Sequence, residues 1–168
     1  KDFKFRHRSK KNQIIYTSKK VKNDEEILNL INNFLEEKNS FIFESVEKGK
    51  IKGRYTIFGK NPDKIWEFNN QSSYLIKNNK KIKLKDKPDQ LIEKIIEEFK
   101  FETPKNLPKI CSLISGYFSY DSIRYIEKIP NSCKNDLNIP DVRLLRPRTL
   151  VIHDLSLIHI SEPTRPRL

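Results

Sequence analysis

The chain has 168 residues, with 34 Lys+Arg against 22 Asp+Glu and a formal net charge of +12, a size that fits one domain or part of a larger one. No stretch approaches the roughly 20 consecutive apolar residues of a membrane span, and no apolar run follows the charged start as a secretory signal requires. Two cysteines, Cys111 and Cys133, are too few for a disulfide scaffold and lack paired zinc spacing, so the expectation is a soluble, cytoplasmic protein with free, buried thiols.

Only 36% of residues are hydrophobic, which makes any core thin, although ten Phe, six Tyr and one Trp offer bulky groups to fill it. Methionine and alanine are absent while Lys, Asn and Ile abound. That usage reads as a fragment encoded in an A/T-rich genome. The same bias scatters Lys over a solvated surface and weakens +12 as a sign of a nucleic-acid partner.

Lys1 to Lys22 reads as a basic, mobile or peripheral arm around one apolar group, Gln13-Ile14-Ile15-Tyr16, a short edge strand. Asn23 or Asp24 caps a helix whose first turn carries Glu25 and Glu26, carboxylates that suit its positive end. Ile27, Leu30, Ile31, Phe34 and Leu35 fall at helical spacing and form one apolar stripe.

Ser40 to Val46 and Arg54 to Phe58 read as strands joined by a turn at Lys48-Gly49-Lys50. Gly59-Lys60-Asn61-Pro62 is expected to break the pattern. Ile65-Trp66-Glu67-Phe68, Tyr74-Leu75-Ile76 and Lys81 to Lys85 resume it, with a turn at Asn78-Asn79, as an antiparallel meander with one wet face. Pro88 opens a second helix, with Leu91, Ile92, Ile95, Ile96 and Phe99 as its stripe.

A buried strand is expected within Ile110 to Tyr120, a short helix over Asp121 to Lys128, a loop over Ile129 to Pro140 and a strand over Arg148 to His153. Clustered strands and helices favour an α+β fold of antiparallel β-sheets with covering helices. From about Leu155 the Lys and Asn disappear, and residues 155–168 read as a non-native tail resembling translated adapter sequence, or as a disordered C-terminus.

No H-x-x-x-H, C-x-x-C or H-E-x-x-H spacing joins His7, His153, His159, Cys111 and Cys133, and no phosphate-binding glycine loop or serine elbow is present. Glu25-Glu26, Glu36-Glu37 and Glu97-Glu98 fall on polar helix faces, which is a solubility pattern and not an acid/base pair. Lys77, Lys80, Lys81, Lys83, Lys85 and Lys87 beside Tyr74 could neutralise phosphates. They also describe a solvated sheet edge. A stand-alone basic nucleic-acid module is the alternative reading, and no nucleic-acid or membrane partner is the expectation.

Phe41-Ile-Phe-Glu-Ser-Val-Glu47, Gly53-Arg-Tyr-Thr-Ile-Phe-Gly59 and Asn61-Pro62 resemble the first strands of anthranilate synthase component I, where a Leu-Glu-Ser strand end precedes a Gly-Arg-Tyr/Trp-Ser-Phe strand. Ser115-Gly-Tyr-Phe-Ser-Tyr-Asp121, Ile139-Pro-Asp141 and Thr149-Leu-Val-Ile-His-Asp154 resemble later blocks of the same family, in the same order. Ile114-Ser115 stands in place of that family's double glycine, which makes close backbone approach there less expected. Arg143, Arg146 and Arg148 stand where the family is more apolar.

The resemblance spans about Gln13 to Asp154. It implies an N-terminal domain over 13–154, part of a larger two-sheet sandwich completed by a C-terminal half. In that family chorismate and ammonia become anthranilate and pyruvate with magnesium, the ammonia coming from glutamine through an amidotransferase subunit, component II. Aminodeoxychorismate synthase component I is the alternative within the same fold family.

The chorismate and magnesium ligands belong to the C-terminal half, so no catalytic or metal residue is assigned in this chain. What the resemblance does imply is part of the inhibitory L-tryptophan site at Ser45, Arg54 and Glu44. A hydroxyl and a carboxylate can accept hydrogen bonds from an ammonium group, and a guanidinium can answer a carboxylate. On residue types alone, a cross-strand Glu44–Arg54 ion pair with Ser45 ending the strand accounts for the same pattern.

Overall fold

The structure, a computed structural model, describes residues 5–8, 13–21, 23–44, 54–99, 103–105, 107–130 and 137–154. They sort into two compact units, one of Lys1–Val21 and Pro62–Pro147, the other of Lys22–Asn61 and Arg148–Leu168. Ser45, the expected turn at 48–50, Cys133 and the tail at 155–168 lie outside the described residues. The fold is α+β with antiparallel ladders.

In the first unit the basic arm is structured where it is described. Strand β1 (Phe5–Arg8) pairs antiparallel with β2 (Gln13–Tyr16), Phe5 opposite Tyr16, so the single edge strand of the sequence reading is one half of a hairpin. The main strands are β4 (Tyr55–Asn69), β5 (Ser72–Lys77), β6 (Lys80–Lys83), β7 (Ser115–Phe118) and β8 (Val142–Asp154), in the order β6-β5-β4-β8-β7, with β4 from Pro62 on and β8 up to Pro147 in this unit.

Two-residue turns join β4 to β5 and β5 to β6. Asn70 and Gln71 take φ of +46° and +63°, Asn78 and Asn79 take +50° and +59°. Positive φ at both central positions gives a turn whose twist matches the strands, and Asn tolerates it.

The break expected at Gly59 to Pro62 is not a break. Asn61 takes φ of +52° and β4 runs on through it, because a single left-handed Asn can deform a strand without ending it.

Helix α2 (Pro88–Phe99) lays Leu91 and Ile95 against Trp66, Phe68, Val142 and Leu144, and these six side chains are the core of the unit. Of the rest of its stripe Ile92 packs partly against this core and Phe99 is half-buried, whereas Ile96 is 58% exposed.

The wet face expected of the meander is absent from the middle of β4, where Ile65, Trp66, Glu67 and Phe68 are all buried. A buried carboxylate needs compensation, and Glu67 has two cations. Lys81 donates to its Oε2 at 2.7 Å and Arg143 to its Oε1 at 2.8 Å. The expected buried strand within Ile110 to Tyr120 is also corrected. Lys109–Cys111 is a 3-10 turn, only β7 is extended, and of β7 only Ser115 is buried. The short helix after it is 3-10, over Tyr120–Tyr125. Cys111 is free but half-buried, and burial raises its thiol pKa.

Arg143 and Arg146 in β8 are accommodated by pairing, whereas Arg148 is exposed. Arg146 Nε donates to Asp63 Oδ1 at 2.7 Å and its Nη2 to Oδ2. Burial alone would raise the Asp63 carboxyl, but the hydrogen bonds and charge of Arg146 outweigh it and hold the group below its usual value. A depressed carboxyl contributes stability that is present above its unfolded pKa and lost as pH falls through the folded one. Arg146→Ala is therefore expected to cost about 1 kcal/mol at neutral pH and to flatten the loss of stability below about pH 4. Melting temperature against pH checks this, and parallel acid slopes for wild type and variant would contradict it.

In the second unit β3 (Phe41–Glu44) pairs antiparallel with the first part of β4, Phe41 opposite Gly59 and Glu44 opposite Thr56. Helix α1 (Asp24–Leu35) starts as expected, with Asn23 Oδ1 accepting from the Glu26 N–H at 3.2 Å. Its buried seam is narrower than the predicted stripe. Ile27 and Phe34 are buried while Leu30 and Leu35 are exposed. Phe34 meets Phe58 edge-on at 5.4 Å, a geometry that suits the ring quadrupoles.

Candidate functional site

Of the three residues expected to form a binding site, two are described and both lie in the second unit. Glu44 is the last residue of β3, directly opposite Thr56. It is exposed, and it makes no ion pair or hydrogen bond among the described residues. Alternation along the strand puts it on the face of Ile42, opposite the face of Phe41 and Phe43, whose rings sit 5.0 Å apart.

Arg54 immediately precedes β4, and its fork is occupied. Nε donates to Asp154 Oδ1 at 3.3 Å and Nη2 to Asp154 Oδ2 at 3.0 Å. The guanidinium also lies 4.8 Å from the centroid of the Tyr55 ring. The Arg54 side chain is 61% exposed and that of Asp154 19%. The hydrogen bonds that Arg54 donates to Asp154, with the charge of that carboxylate, push the Arg54 pKa above its ordinary value.

The cross-strand Glu44–Arg54 pair that the residue types suggest is not formed, because Arg54 has taken the carboxylate that ends β8 instead. Sequence reasoning named Asp154 only as the close of the Thr149 to Asp154 block. A pairing between residues 100 positions apart leaves no local signal.

The two groups carry the charges that complement a zwitterion. The arrangement offers to an ammonium group a carboxylate with no partner among the described residues, at one strand end, and to a carboxylate a guanidinium two positions before Thr56.

The lysine hairpin is less suited to phosphates than its composition suggests. Lys81 is spent on Glu67 and lies over the Tyr74 ring at 4.7 Å. Strand alternation sends Lys80 and Lys81 to opposite faces of β6, and β6 is the edge of its sheet. Charge there protects the edge from pairing with other chains.

A hollow of about 280 Å³ in the first unit is lined by Glu67, Asn69, Asn70, Ser72, Tyr74, Lys81 and Pro140. Its charged groups already satisfy one another.

Among the described residues no three His, Cys, Asp or Glu side chains cluster to hold a metal ion. None of these residues is grouped to hold the magnesium implied by resemblance. No helix among the described residues is long and apolar enough to cross a membrane.

No family model matches the chain. Curated proteins do. Anthranilate synthase component 1 of Cereibacter sphaeroides is 30% identical over 148 residues, covering 85% of this chain and 30% of that protein. Its namesake in Acetivibrio thermocellus is 31% identical over 128 residues, 76% of this chain and 26% of that protein. The chloroplastic anthranilate synthase alpha subunit 1 of Oryza sativa subsp. indica is 30% identical over 138 residues, 74% of this chain and 23% of that protein. The chain thus spans less than a third of the length of these relatives.

Proposed function

The chain belongs to the anthranilate synthase component I family, and from that premise we propose that it is the N-terminal, tryptophan-sensing part of an enzyme making anthranilate and pyruvate from chorismate and ammonia. In this reading ammonia reaches the enzyme from glutamine through a separate amidotransferase subunit, magnesium is bound elsewhere in the protein, and catalysis belongs to chain segments beyond those described. The product feeds the synthesis of tryptophan, so an inhibitory tryptophan site has a regulatory use.

One observation carries the assignment of the site: Glu44, an exposed carboxylate with no ion pair or hydrogen bond among the described residues, ends β3 in the same unit that holds the Arg54 guanidinium. Opposite charges on neighbouring strand ends are the complement of an α-amino acid, ammonium to Glu44 and carboxylate to Arg54. Ser45 follows Glu44 in sequence, and its hydroxyl is an acceptor of the kind an ammonium group needs. Bound tryptophan then favours a state with poorer chorismate affinity. The range usual for such coupling, about 1–3 kcal/mol, is enough to change affinity 5- to 150-fold.

The test is to express the full-length gene product with and without its amidotransferase and to follow anthranilate formation from chorismate. The expected result is activity with ammonia alone, glutamine-dependent activity only when both subunits are present, and inhibition of both by L-tryptophan. Anthranilate formation that L-tryptophan leaves unchanged would remove the sensing role.

A further inference from the structure

Asp154 stands where no assigned function has placed a residue, and its chemistry bears on the carboxylate end of the site. It offers Arg54 two oxygens across the planar guanidinium fork, at 3.3 and 3.0 Å. This is the geometry with which an arginine holds a free carboxylate. The two residues are 100 positions apart and belong to the same compact unit. Arg54 remains 61% exposed while Asp154 is 19% exposed, so the approach from solvent is to the guanidinium, and the resident carboxylate is the better sheltered partner. At the other end of the site, Glu44 is unencumbered among the described residues.

Resting on the tryptophan-site reading above, we infer that Asp154 is a built-in competitor for the ligand's carboxylate: Arg54 releases Asp154 when it takes up the carboxylate of an α-amino acid. The two ends of the site then differ in kind. The ammonium of the ligand meets an open acceptor, whereas its carboxylate must exchange with an internal one. Exchange between like carboxylates on an exposed guanidinium conserves charge and hydrogen bonds, so it is close to neutral and sets the affinity without abolishing it. Asp154 thereby tunes the tryptophan concentration at which the enzyme responds, and it is a specificity-determining residue, since only ligands bearing a carboxylate encounter it.

The experiment is a dose–response of the full-length enzyme to L-tryptophan for wild type, Arg54→Ala and Asp154→Asn. Asp154→Asn removes the competing charge and keeps the shape. It should lower the half-inhibiting concentration by about two- to fivefold, the range expected when an exposed ion pair no longer has to be broken. Arg54→Ala should raise it at least about tenfold.

If Arg54→Ala leaves inhibition intact, the site reading itself fails. If Arg54→Ala weakens inhibition but Asp154→Asn leaves it unchanged or weakens it, the reading stands and the competition is wrong, Asp154 then serving to position Arg54. The wild-type protein provides a second arm that does not depend on how the variants fold. In its nitrogen-15 spectrum the Arg54 Nε–Hε signal should move with L-tryptophan and stay in place with tryptamine, which lacks the carboxylate. Movement with both or with neither would overturn the inference.

Discussion

Gly116→Ala is expected to lower the stability of the protein by about 3 kcal/mol or more. A Cβ built at Gly116 would lie 1.9 Å from the carbonyl oxygen of Arg143 and 2.9 Å from both its carbonyl carbon and the Cα of Leu144. All three are backbone atoms of the strand that β7 pairs with, Gly116 being opposite Leu144 in the ladder. No side-chain rotation relieves such a contact. The Gly116 φ of +157° is also one that L residues rarely adopt. Either β7 leaves the sheet or the ladder is distorted around Ser115, which is buried. At the size of this chain the loss corresponds to a melting temperature lower by roughly 10 °C, measurable by circular dichroism. A melting temperature within a degree or two of wild type would show that β7 does not approach β8 as described.

Asp141→Ala should cost about 2–4 kcal/mol, because its carboxylate holds both the Asn70 N–H and the Tyr125 hydroxyl. Asp141 donates its N–H to the Phe68 carbonyl at 2.8 Å and its own carbonyl accepts from the Ser119 N–H at 2.7 Å. Its Oδ2 accepts from the Asn70 N–H at 3.1 Å and from the Tyr125 hydroxyl at 2.6 Å. Truncation spares the two backbone bonds and removes both carboxylate bonds, leaving a half-buried tyrosine hydroxyl without its partner.

The same contact predicts an alkaline response. Burial first, then the hydrogen bond and charge of Asp141, push the Tyr125 pKa far above its ordinary value. A group with a raised folded pKa contributes stability that is fully present below its unfolded pKa and lost as pH rises beyond it. The wild-type protein should therefore lose stability above about pH 10, and Tyr125→Phe should lose less over the same interval. Chemical denaturation midpoints at pH 7, 10 and 11 measure both effects. An Asp141→Ala midpoint equal to wild type at pH 7 would show that the corner is not a support.

The parts of the fold that could be read from sequence are those with a local cause. Asn23 caps α1, Pro88 opens α2, and Asn78-Asn79 turns β5 into β6, each from the residue's own backbone preference. The Phe-rich segment at β3 and the apolar spacing of Leu91 and Ile95 were legible for the same reason.

What was misread depends on partners distant in sequence. Glu67 in β4 looks like a wet face until Lys81 and Arg143 are brought to it. Asn61-Pro62 looks like a stop until a left-handed Asn carries the strand through. Gly116 looks less constrained without a second glycine, yet the close approach to Arg143 falls on Gly116 alone. At the candidate site, Glu44 and Arg54 followed from family resemblance to adjacent strand blocks, whereas Asp154 is brought to Arg54 only by the folding of β8.

The proposed tryptophan site lies at the end of β3 and the start of β4. The most direct measurement is L-tryptophan inhibition of anthranilate formation by the full-length protein, comparing wild type with Glu44→Ala, Ser45→Phe and Arg54→Ala. Each variant changes a residue of the proposed site and should raise the half-inhibiting concentration by about tenfold or more. Inhibition at the wild-type concentration in all three would contradict the account.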